Sequence, residues 1–158
     1  MDWQGWITFG FVATVALTGT MAAAQMAGWS RMDIPLMLGT VITGRPEQAR
    51  TAGLLVHLVN GQVFALLYAS AFASIGYATW WLGVTFGILH GLAALVVIVP
   101  FLPGVHPRMT SERAGPSLTA ALEPPGLFAL NYGVQTPAVA LVAHAIYGLI
   151  LGMFLGPR

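Results

Sequence analysis

Thr136-Pro-Ala-Val-Ala-Leu-Val-Ala-His-Ala-Ile-Tyr-Gly-Leu-Ile-Leu-Gly-Met-Phe-Leu155 is an unbroken apolar run. It is about as long as a helix needs to cross the hydrocarbon core of a bilayer, roughly 20 residues. Within it and just beyond it, Ala140, His144, Gly148, Gly152 and Gly156 recur at four-residue spacing. On a helix that spacing makes one continuous row of neighbours. Small residues in such a row let a second backbone approach closely, which is how helices associate in lipid. A histidine stands in the middle of the row.

The rest of the chain has the same character. Of 158 residues, 57% are hydrophobic and only 7% charged, far below the roughly 25% charge of soluble domains. Mean hydropathy is +0.79. No charged side chain occurs between Arg50 and Arg108, a stretch that holds two further spans. Lysine is absent, and with a net charge of +1 no basic stripe exists to neutralise phosphates, so nucleic acid is not a partner. The chain has no cysteine, which excludes disulfides, thiolate metal sites and cysteine nucleophiles.

The expected fold is an all-α, polytopic membrane domain covering residues 1–158, with four transmembrane helices at about 6–26, 51–75, 80–100 and 136–155. A cleaved signal peptide is the competing reading of the first run. Asp2, the lack of a basic n-region and the length of the run favour a retained helix. In that helix Gly10, Thr14, Thr18 and Ala22 step by four; in the second, His57, Gly61, Ala65, Ala69 and Ala73; in the third, Gly83, Gly87 and Gly91. Gly61, Gly87, Gly91, Gly148 and Gly152 are therefore the expected helix-packing positions.

A short interfacial helix is predicted at about 33–43. Asp33 is its N-cap, Pro35 lies in its first turn, Gly44 is its stop, and Ile34, Met37, Leu38, Val41 and Ile42 form its apolar stripe. It reads as a connector lying in the interface, with a lid over a cavity as the functional alternative. Pro100 and Pro103 close the third span. Gly126–Gly133 is too short to span and packs over helix ends or dips into the interface. Thr136 is the expected N-cap of the last helix, with Pro137 at its first position.

Arg31, Arg45, Arg50, Arg108 and Arg113 fall in the loops after spans one and three, and Arg158 alone falls on the other side. The positive-inside rule then places both long loops in the cytoplasm and both termini outside. Leu54–Gly61 also aligns with Leu141–Gly148, a faint repeat consistent with two related hairpins.

Three histidines lie within spans. Counted from the cytoplasmic ends, His57 is roughly 9 Å deep, His144 roughly 12 Å and His90 roughly 15 Å. If the small-residue rows face the bundle axis, the imidazoles converge. His106, in the turn after span three, can approach from the loop. Three readings follow. The histidines can be structural, hydrogen-bonding across helices with Asn60, Gln62 and Tyr147. They can hold a metal ion or a haem iron, with Asn60 and Tyr147 orienting the rings. They can line a proton or solute path. No carboxylate sits on a span, so a di-iron carboxylate site is not expected. Glu112 and Glu123 read as solvated loop charges.

The segments Arg31-Met-Asp-Ile-Pro-Leu-Met-Leu-Gly39, His57-Leu-Val-Asn-Gly61, Leu102-Pro-Gly-Val-His-Pro-Arg-Met109 and Asn131-Tyr-Gly133 together resemble an uncharacterised family of small bacterial four-span inner-membrane proteins. The resemblance implies a bacterial inner-membrane location and carries no activity or ligand. The leading expectation is a structural or accessory membrane component, not an enzyme, embedded in the lipid bilayer within a homo-oligomer or larger membrane complex. The alternatives are a metal- or haem-binding protein and a small transporter or channel.

Overall fold

The computed structural model describes residues 2–111 and 119–156; Glu112, Arg113 and Arg158 lie outside them. Among the described residues every regular element is helical. Four helices are long and apolar enough to cross a membrane: Trp3–Met26, Pro46–Ile75, Trp80–Val105 and Thr136–Phe154. The first is α1, the second α3 and the last α6, with a short α2 at Ile34–Gly39. The third is composite. Helix α4 (Trp80–Ala93) runs into a π turn at Ala94–Ile98 and on into α5 (Val99–Val105).

The third helix thus continues about a turn past the proline stop expected near residue 100. The wider π turn displaces the hydrogen-bond register just before Pro100, which then sits in the first turn of α5. There its missing N–H leaves no interior bond broken.

Packing is antiparallel and stepwise: α1 lies against α3 and α6, and α6 lies against α4. The small-residue rows form these contacts. A Cβ added to Gly83 would lie 2.1 Å from the Gly148 carbonyl oxygen, and one on Gly87 would lie 2.2 Å from that of His144. One added to Gly61 would strike the Thr14 hydroxyl at 1.9 Å. Only hydrogen fits at these positions: at Gly83 and Gly87 backbone meets backbone, and at Gly61 the backbone meets the Thr14 side chain. The outward faces carry large apolar side chains, among them Ile7, Leu55, Val63 and Leu89.

Helix α2 begins as expected, with Asp33 Oδ1 accepting from the Leu36 N–H at 2.8 Å. It ends earlier than expected, at Gly39. The Thr40 hydroxyl bonds back to the Leu36 and Met37 carbonyls, and Gly39 crosses directly over the Ala49 carbonyl of α3. Val41 and Ile42 are therefore exposed and do not extend the stripe. At the start of α6 the cap position belongs to Gln135. Thr136 is buried inside the first turn, its hydroxyl 2.9 Å from that of Ser30.

The second long loop closes over the same end. Its 3₁₀ segment, Leu127–Tyr132, buries Ala129 and Tyr132 and carries Phe128 and Ala129 at positive φ. Arg31 donates its N–H to the Tyr132 carbonyl at 2.7 Å and pairs with Glu123 at 2.7 Å, so Glu123 ties the loops together. Burial, with the Glu123 carboxylate beside it, pushes the Tyr132 phenol up to about 12. It stays protonated and donates to the Glu123 carbonyl at 2.8 Å.

Candidate functional site

Helices α3 and α4 follow each other in sequence, yet they meet through rings. Phe72 and Phe86 stack at 5.6 Å, and Tyr68 stands edge-on to Phe86 at 5.9 Å. Above this layer the two helices flank a cavity of about 170 Å³. His57, His90 and His144 all line it. The three come together because they sit at similar levels along their helices and the glycine rows beside them turn inward.

The rings are held individually. His144 Nδ1 lies 2.7 Å from the Ala140 carbonyl. A carbonyl only accepts, so Nδ1 carries the proton and the neutral ring keeps a lone pair on Nε2. His90 stands edge-on to His144, ring centroids 4.8 Å apart, and packs on Phe64 at 4.0 Å. Its Nδ1 is 3.4 Å from the Tyr68 hydroxyl. Among the described residues, Nε2 of His57 is buried with no hydrogen-bond partner.

Not every candidate from the sequence joins them. Tyr147 borders the cavity and meets the edge of His90 at 6.1 Å, but its hydroxyl donates to the Gly61 carbonyl at 2.6 Å. It pins α6 to α3 and orients no imidazole by hydrogen bonding. Asn60 lines the cavity but is exposed, and no hydrogen bond joins it to His57. His106 lies elsewhere. Its Nε2–H donates to the Met37 carbonyl at 2.9 Å, while Nδ1 accepts the Arg108 N–H at 3.1 Å. Nε2 fastens α2 to the end of α5, and Nδ1 braces the turn that follows.

Tyr68 is the neighbour that sequence reasoning missed. It falls on the same face as His57 and Gly61, three turns along α3, so the helical period was the available signal. The cavity's cover was not foreseen as such either. Met32, Ile34, Met37, Leu38 and Leu102 line it toward the loop end, where an apolar roof stands between the histidines and the arginine-bearing loops. Among the described residues no three His, Asp or Glu side chains come together closely enough to hold a metal ion. No protein-family model, curated protein or solved structure matches this chain. The site is therefore read from its own chemistry.

Proposed function

We propose that this chain is a multi-pass protein of a bacterial inner membrane, both termini outside. In this reading its bundle binds a small, uncharged, mostly apolar molecule against His57, His90 and His144. The membrane assignment is supported by the four apolar helices and by Arg31, Arg45 and Arg108 in the loops and Arg50 in the second turn of α3, all at one end. The ligand reading is carried by one observation: His57 lines a largely apolar cavity, and among the described residues its buried Nε2 has no hydrogen-bond partner. A buried polar atom without a partner costs about 1–3 kcal/mol, and a ligand hydroxyl or carbonyl restores the bond. The cavity lies below the roughly 300–1,000 Å³ of drug-sized sites, so the bound part is about the size of one substituted ring. Its lining includes no carboxylate, serine or lysine. The role is binding within a membrane assembly, not turnover.

The test uses the chain's four histidines as reporters. With imidazole nitrogens labelled with ¹⁵N in detergent, tetramethylhydroquinone is expected to shift the His57, His90 and His144 resonances and leave His106 unmoved. Organic extracts of the purified protein should hold a lipid-soluble compound that is lost in His57→Leu. Unmoved histidines and clean extracts would sink the reading.

A metal is the second reading, favoured by His144. Its Nδ1–H held by a carbonyl with Nε2 left open is the arrangement metal-bound imidazoles adopt. Haem is too large for the cavity without movement of the helices. Elemental analysis and a visible spectrum of the purified protein decide this, and a colourless, metal-free sample excludes it.

A further inference from the structure

The route into the cavity can be argued from its lining. Two lining residues are exposed, Asn60 on α3 and Ile98 in the π turn. Toward the loops the cavity is roofed by Met37, Leu38 and Leu102. Toward the opposite end it is closed by the Tyr147 hydroxyl on the Gly61 carbonyl and by the stacked rings of Phe72 and Phe86. The remaining way out is sideways, between α3 and the π turn. There the surrounding surface is apolar, with Val59 and Val63 on one side and Val96 and Val97 on the other.

Asn60 is out of keeping with that surface. An amide facing hydrocarbon without a partner is costly and is seldom retained without a use. Gln62, two residues on, shows the ordinary use of an amide here: it donates to the Ile7 carbonyl and holds α1 to α3. Asn60 has no such bond. The π turn opposite is the kind of local widening that accompanies functional sites in helices, and it places Ile98 at the opening.

We infer that the histidine cavity loads from the bilayer through a lateral mouth between Asn60 and Ile98, and that its occupant is a lipid-soluble molecule with a hydroxyl- or carbonyl-bearing ring. Asn60 engages the polar group as it leaves the lipid, and the imidazoles receive it inside. The inference rests on the ligand reading above and adds the occupant's source and path.

The chain is free of cysteine, so one thiol can report the path. Ala140→Cys places it on the buried lining. In liposomes, neutral methyl methanethiosulfonate is expected to label it. Its charged trimethylammonium analogue, added on both sides, is not. Adding Asn60→Trp should slow neutral labelling on the order of tenfold, since a ring filling the mouth leaves no void, while Val105→Trp, exposed at the loop end of α5 and outside the lining, should leave the rate unchanged. Ala94→Cys, on the same lining, repeats the measurement if Ala140→Cys does not fold. Equal labelling by the charged reagent, or no slowing by Asn60→Trp, overturns the lateral route. Because labelling needs no ligand, that failure is distinct from unmoved histidine resonances, which would reject the ligand and leave the path standing.

Discussion

Helix α4 has two neighbours and meets them by opposite means. Against α6 it presents Gly83, Gly87 and Gly91; the two backbones touch at the first two, and Gly91 makes room for the His144 side chain. Toward α3 it presents Phe86 and His90, and rings hold the helices apart. One seam is closed by removing side chains and the other is propped open by the largest ones. The cavity lies on the propped side. A glycine seam is rigid because backbone cannot yield. A ring seam leaves irregular space beside the rings, and polar side chains can be set into it. The faint sequence repeat sharpens the contrast. It pairs α1/α6 with α3/α4, yet α1 lies against α6 and α3 stands off from α4.

The largest effect should come from breaking the closed seam. Gly87→Leu or Gly148→Leu puts a side chain where even a Cβ would sit 2.2 Å or 2.0 Å from a backbone oxygen. The outcome should exceed the about 1–3 kcal/mol of ordinary overpacking, because backbone is the obstacle. Size-exclusion chromatography in detergent should recover no monodisperse protein. Phe72→Ala attacks the propped seam instead. Phe72 is fully buried, and its loss should destabilise by about 3–5 kcal/mol in thermal unfolding while the fold survives.

A smaller loss is expected at the roof. His106→Ala strands the Met37 carbonyl and the Arg108 N–H, at about 1–3 kcal/mol. It should also raise hydrogen exchange in α2 before that in α1 or α6. His57→Leu should be smallest and of opposite sign. It removes an unpartnered nitrogen, so stability should stay level or rise by up to about 1 kcal/mol while ligand shifts at His90 and His144 vanish. A clear destabilisation by His57→Leu would make that histidine structural.

Much of this was written in one dimension. Four apolar runs, the four-residue rows of small side chains and the cap at Asp33 are local patterns; the helices, the cap and the contacts at Gly61, Gly83, Gly87 and Gly148 follow from them, while the row ends at Ala22 and Ala73 are exposed. The level of the three histidines along their helices is equally local, since it follows from counting helical rise. What local pattern could not rank was competition for partners. Tyr147 had a carbonyl nearer than any imidazole, His106 found both its partners at the base of α2 and α5, and Thr136 gave its hydroxyl to Ser30 across the bundle. Pro100 misled for a related reason: a π turn, invisible to residue-by-residue reading, made room for it, and the helix also runs through Pro103 to Val105.

Helices and their glycine faces depend on spacing along a single segment, so composition and period were sufficient for them. Which pair of helices stands apart depends on the summed volume of side chains from two segments at once. Phe64, Tyr68, Phe72, Phe86 and His90 acquire that meaning only when α3 and α4 are set side by side. The cavity, its apolar roof and its opening at Asn60 are consequences of that packing, and they belong to the tertiary structure alone.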